Sequence, residues 1–217
     1  FSSNKLNFGV NPMSSETLMK QAREGDPEAQ FQIASALISS PDPDSDAILK
    51  WMTASANQGH VKAITNLAII YYFGDLGEQS FEKSFLLFKK ASSIGDPAAD
   101  YYLGISLQKG HGTVVDTASG FQYLMKAAND GMPDAQLSLG KAYEDGTVGI
   151  GKDLFAAVSW YAYAAEAGIP GAGDRFNELY YSQHFTDHAG NQRFFWFEER
   201  AIESGNMPKD ESNECAD

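Results

Sequence analysis

Six glycines recur through the sequence at nearly constant spacing, and this period constrains the fold more than any other feature. Successive glycines are separated by 34, 36, 36, 37 and 37 residues, at Gly25, Gly59, Gly95, Gly131, Gly168 and Gly205. A period of this size is typical of repeat proteins, in which each unit buries its apolar face against its neighbours. The chain is therefore interpreted as an array of stacked units rather than as one closed core.

Apolar residues keep the same phase as the glycines, and their spacing is helical. Four positions after the first five glycines stand Ala29, Ala63, Ala99, Ala135 and Ala172. Larger apolar residues follow at eight and twelve positions, such as Leu139 and Tyr143 after Gly131. Residues four apart share one helix face, so a helix is predicted after each glycine. Eight positions before five of the glycines stand Trp51, Leu87, Tyr123, Trp160 and Phe197, which predict a second helix in each period.

Boundary residues divide the period into helix pairs. In Gly25-Asp26-Pro27, the glycine is typical of a helix end. The aspartate is typical of a helix N-cap, and the proline is typical of the first position of the next helix. Asp116 and Asp153 are predicted to cap helices in the same way. Further breaks fall at 39–43, 74–77, 110–112 and 146–151. We predict a lead-in helix near 14–24, first helices near 27–38, 61–73, 97–108, 133–144 and 171–182, and second helices near 46–57, 81–93, 117–129, 153–166 and 191–203.

The pattern resembles a known repeat family. Residues 131–146 (GMPDAQLSLGKAYEDG) are similar to the first helix of a Sel-1-like repeat, a relative of the tetratricopeptide repeat, and residues 156–168 (AAVSWYAYAAEAG) are similar to its second helix. The resemblance extends over about 14–205. The expected fold is all-α, a right-handed α-solenoid superhelix of antiparallel helix pairs. The expected domains are an extended segment at 1–12, a repeat domain at 13–206 and an acidic tail at 207–217.

The resemblance also implies a role. Members of the Sel-1-like family typically act as scaffolds or adaptors that bind other proteins. Disulfide-rich members carry a cysteine pair in each repeat, whereas this chain has the single Cys215. The resemblance therefore implies a protein-binding array of repeats that are not cross-linked by disulfide bonds.

Charge narrows the class of partner. The chain has 16 Lys and Arg against 29 Asp and Glu, a net charge of −13. Nucleic-acid surfaces need clustered basic residues, so binding to nucleic acid is not expected. A protein partner with a basic patch is expected instead. No apolar run approaches the ~18 residues of a membrane span, so membrane insertion is not expected. The compartment stays open between cytoplasmic and exported after loss of a leader, and so does the oligomeric state.

Two segments partly match ligand-binding motifs but lack residues that the motifs require for binding a metal ion. Residues 146–153 fit a phosphate-binding loop except that Asp153 stands where Ser or Thr must hold magnesium. The segment also follows a predicted helix instead of a strand. Asp42, Asp44 and Asp46 begin like a calcium loop, but its sixth and twelfth positions lack the required Gly and Glu. No cofactor and no metal are expected.

Two other groups approach catalytic or metal sites. Ser80-Phe81-Glu82-Lys83 matches the S-x-x-K motif of penicillin-recognising enzymes, but the companion motifs are absent. His184 and His188 are four residues apart without a third strong ligand at matching spacing. Ser80 is interpreted as a helix cap, the two histidines as loop residues, and the chain as non-enzymatic.

Positions off the packing register of the first helices are expected to face a concave groove. They combine aromatic and polar side chains, as protein-binding surfaces do; the candidates are Asn66, Tyr72, Tyr101, Gln108, Lys141, Glu144, Arg175, Glu178 and Tyr181. Packing of these aromatics against the adjacent repeat is the alternative for each. The leading hypothesis is a scaffold or adaptor that binds a protein or peptide in this groove. The alternatives are a structural segment of a longer repeat assembly and, from the Ser80 motif, a hydrolase of cell-wall or β-lactam substrates.

Overall fold

Helices make up the whole regular structure of the described part of the chain, which confirms the predicted all-α class. The computed structural model describes residues 15–77, 79–147 and 151–182. The helices of these residues are α1 (Ser15–Arg23), α2 (Pro27–Ile38), α3 (Ser45–Asn57), α4 (Val61–Phe73), α5 (Phe81–Ser92), α6 (Pro97–Lys109), α7 (Thr117–Asn129), α8 (Pro133–Asp145), α9 (Leu154–Glu166) and α10 (Ala172–Ser182). None of them combines the length and the apolar character needed to cross a bilayer.

These helices agree closely with the prediction. The first helices of the second and third pairs, predicted near 61–73 and 97–108, span Val61–Phe73 and Pro97–Lys109. The helix predicted near 191–203, the paired histidines His184 and His188, and the terminal segments 1–12 and 207–217 lie outside the described residues. Their predictions stay untested.

Contacts divide the chain into two compact units. Unit 1 ends at Asp96 and contains α1 to α5, and unit 2 begins at Pro97 and contains α6 to α10. Within each unit a helix packs mainly on the helices that precede and follow it in the sequence. This local packing is the arrangement expected of helix-pair repeats.

The phased glycines end helices through their backbone conformation. Gly25, Gly59, Gly95, Gly131 and Gly168 all have φ between 78° and 102°. In each case the glycine N–H donates to the carbonyl three residues earlier, and the next N–H donates to the carbonyl five residues before it. At Gly131 these bonds run to Ala128 (3.0 Å) and, from Met132, to Ala127 (2.9 Å). The pattern resembles a Schellman-type closure, which requires a left-handed residue and explains why glycine recurs there.

Side chains begin the helices. The Asp26 carboxylate accepts the N–H of Ala29 at 2.6 Å, and Asp116 and Asp153 accept the N–H three residues ahead at 3.0 Å each. Ser80 accepts the N–H of Lys83 at 3.3 Å at the start of α5. The predicted caps at these positions are confirmed. Each satisfies an N–H that the first helical turn leaves without an intrahelical acceptor.

Small residues let paired helices approach closely. Ala63, Ala99 and Ala135 are fully buried. At Gly140 in α8, a Cβ atom would lie 2.8 Å from the ring of Tyr161 in α9. The absence of a side chain therefore gives the aromatic ring its place between the helices. That ring belongs to a buried cluster with Ala157, Val158, Phe176 and Leu179.

One buried charge in unit 2 is paired. Asp100 in α6 is 0% exposed, and the Lys126 ammonium of α7 lies 2.7 Å from one of its carboxylate oxygens. Hydrogen bonding to Asp100 raises the pKa of Lys126. A carboxylate in this position requires a paired cation, so the contact couples the two helices.

Candidate partner-binding surfaces

The two candidates in unit 1 lie on α4 and differ in exposure. Asn66 is half-buried. Tyr72 is only 7% exposed, and its ring centroid lies 5.3 Å from that of Phe81 and 6.1 Å from that of Phe88 in α5. The expectation that Tyr72 faces a groove is corrected, because its position near the end of α4 turns the ring into the contact with the paired helix. Asn66 is the candidate of unit 1 that keeps accessible surface.

On α6 the candidates are partly engaged within unit 2. Tyr101 is half-buried, and this burial raises the pKa of its phenol, against a hydrogen bond with Ser138 of α8 that lowers it. Gln108 is also half-buried, and a Cβ atom at Gly120 of α7 would lie 2.8 Å from its Cγ. Both side chains therefore combine a packed part with an accessible part.

Three predicted residues meet in one hydrogen-bonded network that joins α8, α9 and α10. The Arg175 guanidinium donates to Glu144 through Nε at 2.9 Å and also through Nη2, and its Nη1 donates to Glu178 at 2.5 Å. The Tyr161 hydroxyl donates to Glu144 at 2.8 Å. Burial, followed by the negative charge of Asp145, raises the pKa of Tyr161 to about 12. Glu144 is thus held by two donors, while Glu178 extends the network to the surface.

The most accessible candidates lie on α8 and α10. Lys141 is exposed, Glu178 has 68% of its side chain exposed, and Tyr181 is 50% exposed. Neighbouring helices carry them, because α6 meets α8 at Tyr101 and Ser138, and α8 meets α10 in the Arg175 network. We call Tyr101, Gln108, Lys141, Glu178 and Tyr181 the first-helix surface of unit 2. It offers two aromatic rings, an amide and charges of both signs.

The S-x-x-K residues are occupied in other ways. The hydroxyl of Ser80 caps α5, and the Lys83 ammonium lies over the ring of Tyr71, 5.1 Å from its centroid. These contacts are those of a helix start and a cation–π pair. Asp44 likewise caps α3. Within the described ranges, no group of three or more His, Cys, Asp or Glu residues could hold a metal ion.

A histidine joins the first two repeats in unit 1. His60 Nδ1 accepts the N–H of Ala63 at 3.2 Å and so caps α4, which places the proton on Nε2 for donation to Glu28 at 2.8 Å. The imidazole stacks on Phe31 with a centroid distance of 4.7 Å. Hydrogen bonds from Gln32 and then from His60 lower the pKa of Glu28. The sequence does not display this contact, because Glu28 lies one repeat before His60.

The structure also contains a groove that sequence reasoning did not single out. It has a volume of about 570 Å³ and lies in unit 2 between the end of α7, the start of α8 and one face of α9. The residues that line it include Gln136, Asp153, Phe155, Ser159, Trp160 and Tyr163. We call it the α9 groove. The available signal was the aromatic content of α9, from which the sequence analysis used only Trp160, to predict a second helix.

The sequence is similar to a known family and to known proteins. The family model described as Sel1 repeat matches residues 61–96, 97–132 and 133–169. An uncharacterized protein of Neisseria meningitidis serogroup B is 30% identical over 164 residues, which cover 73% of this chain and 32% of that protein. A chitin synthase regulator of Saccharomyces cerevisiae is 33% identical over 132 residues, or 57% of this chain and 18% of the regulator. The chain thus spans a third or less of the length of these relatives.

A solved structure supports the same assignment of fold. The protective antigen of uropathogenic Escherichia coli that displays an SLR fold superposes with a TM-score of 0.73 at 26% sequence identity. The match covers 89% of this chain and 42% of the antigen. The predicted α-solenoid class is confirmed by this likeness.

Proposed function

Because the chain belongs to the Sel1 repeat family, we propose that it is a non-enzymatic scaffold that binds a protein or peptide partner through its first helices. The observation that carries the proposal is the first-helix surface of unit 2. Lys141, Glu178 and Tyr181 are exposed, and Tyr101 and Gln108 on α6 are half-buried. Aromatic rings that keep one accessible side give contact area at low entropic cost, and flanking charges of both signs give orientation.

The internal contacts of this surface support a preorganised site. Arg175 holds Glu178 at 2.5 Å, and Glu144 holds Arg175 in turn. A side chain that is already positioned loses less rotamer freedom when a partner binds. The Saccharomyces relative is named as the regulator of an enzyme, which is consistent with a role exercised through another protein. The net charge of −13 favours a partner with a basic patch.

Affinity capture from an extract of the source organism tests the proposal. The purified chain and a Lys141→Ala, Tyr181→Ala double variant are immobilised, and bound proteins are quantified at increasing NaCl. We expect the double variant to retain about a tenth of the captured partner or less, since central interface residues dominate binding energy. Capture by the unmodified chain should fall with salt, because exposed charges are screened.

A matched control separates this surface from the rest of the chain. Glu82 is an exposed residue in the first turn of α5, a second helix of unit 1. Glu82→Ala should capture the partner as well as the unmodified chain does. Equal capture by the double variant would exclude the first-helix surface as the binding site.

A further inference from the structure

We propose that the α9 groove is a second binding site, which takes a peptide segment with an arginine beside an apolar side chain. The site is separate from the first-helix surface, because its walls come from α9 and from the α7–α8 junction. The lining combines the rings of Phe155, Trp160 and Tyr163 with two oxygen-bearing side chains, Gln136 and Asp153. Each of these features matches one part of such a segment.

Gln136 lines the groove and carries an acceptor that no described residue uses. The residue is 8% exposed, and its Nε2 donates to the carbonyl of Ala128 at 3.3 Å. Among the described residues, no hydrogen bond to its Oε1 is formed. An amide oxygen accepts hydrogen bonds, so this atom favours a ligand that donates one.

The same position in the first repeat is satisfied internally. Gln30 donates to the carbonyl of Ala22 at 3.0 Å, as Gln136 does to Ala128, but its Oε1 also accepts from Gln58 Nε2 at 2.9 Å. Gln58 is the C-cap residue of α3. The C-cap residue of α9 is Ala167, which has no donor side chain. The alanine therefore leaves the groove acceptor open.

The charged residues in and near the groove favour one kind of hydrogen-bond donor in the ligand. Asp153 is exposed, and it uses Oδ1 to cap α9 through the N–H of Ala156 at 3.0 Å. The adjacent Asp130 is also acidic and exposed, and nearby Lys126 is paired with Asp100. Exposed Lys152 is a basic residue that directly precedes Asp153 in sequence. Asp153, the charged residue of the lining, thus favours a cationic ligand.

Arginine fits these groups better than lysine does. Trp160 and Tyr163 are both half-buried, and their rings are tilted relative to each other with centroids 5.8 Å apart. A planar guanidinium stacks on aromatic faces and can donate to an amide oxygen and a carboxylate at once. The remaining length of the groove, beside Phe155 and Ala156, offers apolar contact to the neighbouring side chain. A groove of about 570 Å³ has the size of typical ligand sites.

Binding is tested with short acetylated and amidated peptides added to the whole chain. Leucine alternates with arginine, lysine or glutamate in three of them, and serine alternates with arginine in a fourth. The Trp160 indole N–H resonance, assigned through Trp160→Phe, reports on the groove. The leucine–arginine peptide should shift it with the highest affinity, the lysine peptide should bind several-fold more weakly, and the glutamate peptide should not bind.

Two variants test the groove with its fold retained. Asp153→Asn keeps a capping side chain, and Asp116→Asn makes the same change at the start of α7, away from the groove. Asp153→Asn should weaken the arginine peptide about tenfold, as loss of one desolvated charge contact does, while Asp116→Asn should not. Ala167→Gln should place an amide where Gln58 stands in the first repeat, satisfy Gln136 and weaken binding to a similar extent.

Several outcomes would overturn the assignment. These are an indole signal that no peptide shifts, equal affinities for the arginine and glutamate peptides, and full affinity in Ala167→Gln. A signal that responds to protein concentration alone would identify a second copy as the occupant instead. The Lys141→Ala, Tyr181→Ala variant should bind the peptide normally. Failure of this site and failure of the proposed scaffold surface are therefore separate results.

Discussion

At the scale of the residue, Tyr161 combines two roles: its ring packs in the apolar core, and its hydroxyl takes part in a hydrogen-bonded network. Its ring fills the space left by Gly140, and its hydroxyl donates to Glu144 at 2.8 Å. This bond requires the proton, and burial opposes the phenolate. The same side chain thus joins apolar packing to the ion pairs of α8 and α10.

The raised pKa of Tyr161 predicts a loss of stability at alkaline pH. The folded state holds the proton to about pH 12, whereas an unfolded tyrosine loses it near pH ~10. The free energy of unfolding should be unaffected by this group below pH ~10 and fall by roughly 2 kcal/mol as the pH approaches the folded value. Urea unfolding at a series of pH values, followed by circular dichroism, measures the decline.

Two variants identify the source of that decline. Tyr161→Phe should show a shallower dependence on pH, because the titrating hydroxyl is gone. Tyr181→Phe alters a half-exposed ring and should follow the unmodified chain. An identical alkaline decline in Tyr161→Phe would assign the effect to other groups.

At the scale of the element, helix contact distance depends on residues without side chains. Gly104 of α6 meets α7 so closely that a Cβ atom would lie 2.8 Å from the carbonyl oxygen of Gly120. Gly140 stands in the same relation to Tyr161 of α9. Both glycines have ordinary helical neighbours, so their role lies in spacing rather than in turn formation.

Gly140→Ala should therefore destabilise unit 2. The added methyl overlaps the Tyr161 ring, and overpacking of this kind costs about 1–3 kcal/mol. The helix propensity of alanine offsets up to ~1 kcal/mol of that cost. Gly151→Ala is the matched control, since a Cβ there meets nothing within 4 Å. Urea midpoints compare the two, and a stability equal to the control would show that the helices separate freely.

Helix positions were predictable from sequence, and the surface was predictable only in part. The closures at Gly131 and the caps at Asp116 and Asp153 depend on local backbone and on residues three to five apart, which the sequence displays directly. The burial of Tyr72 depends on Phe81 and Phe88 across a helix pair. Its register position near the end of α4 did not distinguish an inward ring from an outward one.

The α9 groove escaped prediction for a related reason. Its open acceptor depends on a side chain that is missing at one position, because Ala167 stands where the first repeat has Gln58. A repeat pattern emphasises residues that recur, and it hides the consequence of one that does not. The mutual pairing of Glu144, Arg175 and Glu178 was also absent from the prediction, which treated each as a separate partner contact.

At the scale of the whole molecule, the stability of each helix should depend mainly on its contacts with the helices adjacent in sequence. Helices in each unit pack mainly on the helices adjacent in sequence. Arrays of this kind approximate a sum of local stabilities and nearest-neighbour terms. A perturbation should therefore weaken with distance along the chain.

Hydrogen exchange tests this locality. Gly140→Ala should speed amide exchange in α8, α9 and α10 and leave α2 and α3 unchanged, because local opening there does not involve the altered contact. Mass-spectrometric exchange under native conditions resolves these peptides. Uniformly faster exchange in all helices would indicate a single cooperative unit in place of a chain of coupled ones.

The histidine cap of α4 has a consequence for how such an array can be rearranged by duplication. Asp116 and Asp153 cap their own helices, and among the described residues no hydrogen bond joins either carboxylate to another repeat. Those helices would therefore keep their caps if they were moved to another place in the array. The cap of α4 is oriented by Glu28, which belongs to the preceding repeat. Copying residues 60–96 elsewhere would separate His60 from Glu28. This junction therefore specifies a predecessor, and the order of the first two repeats is less exchangeable than their common period suggests.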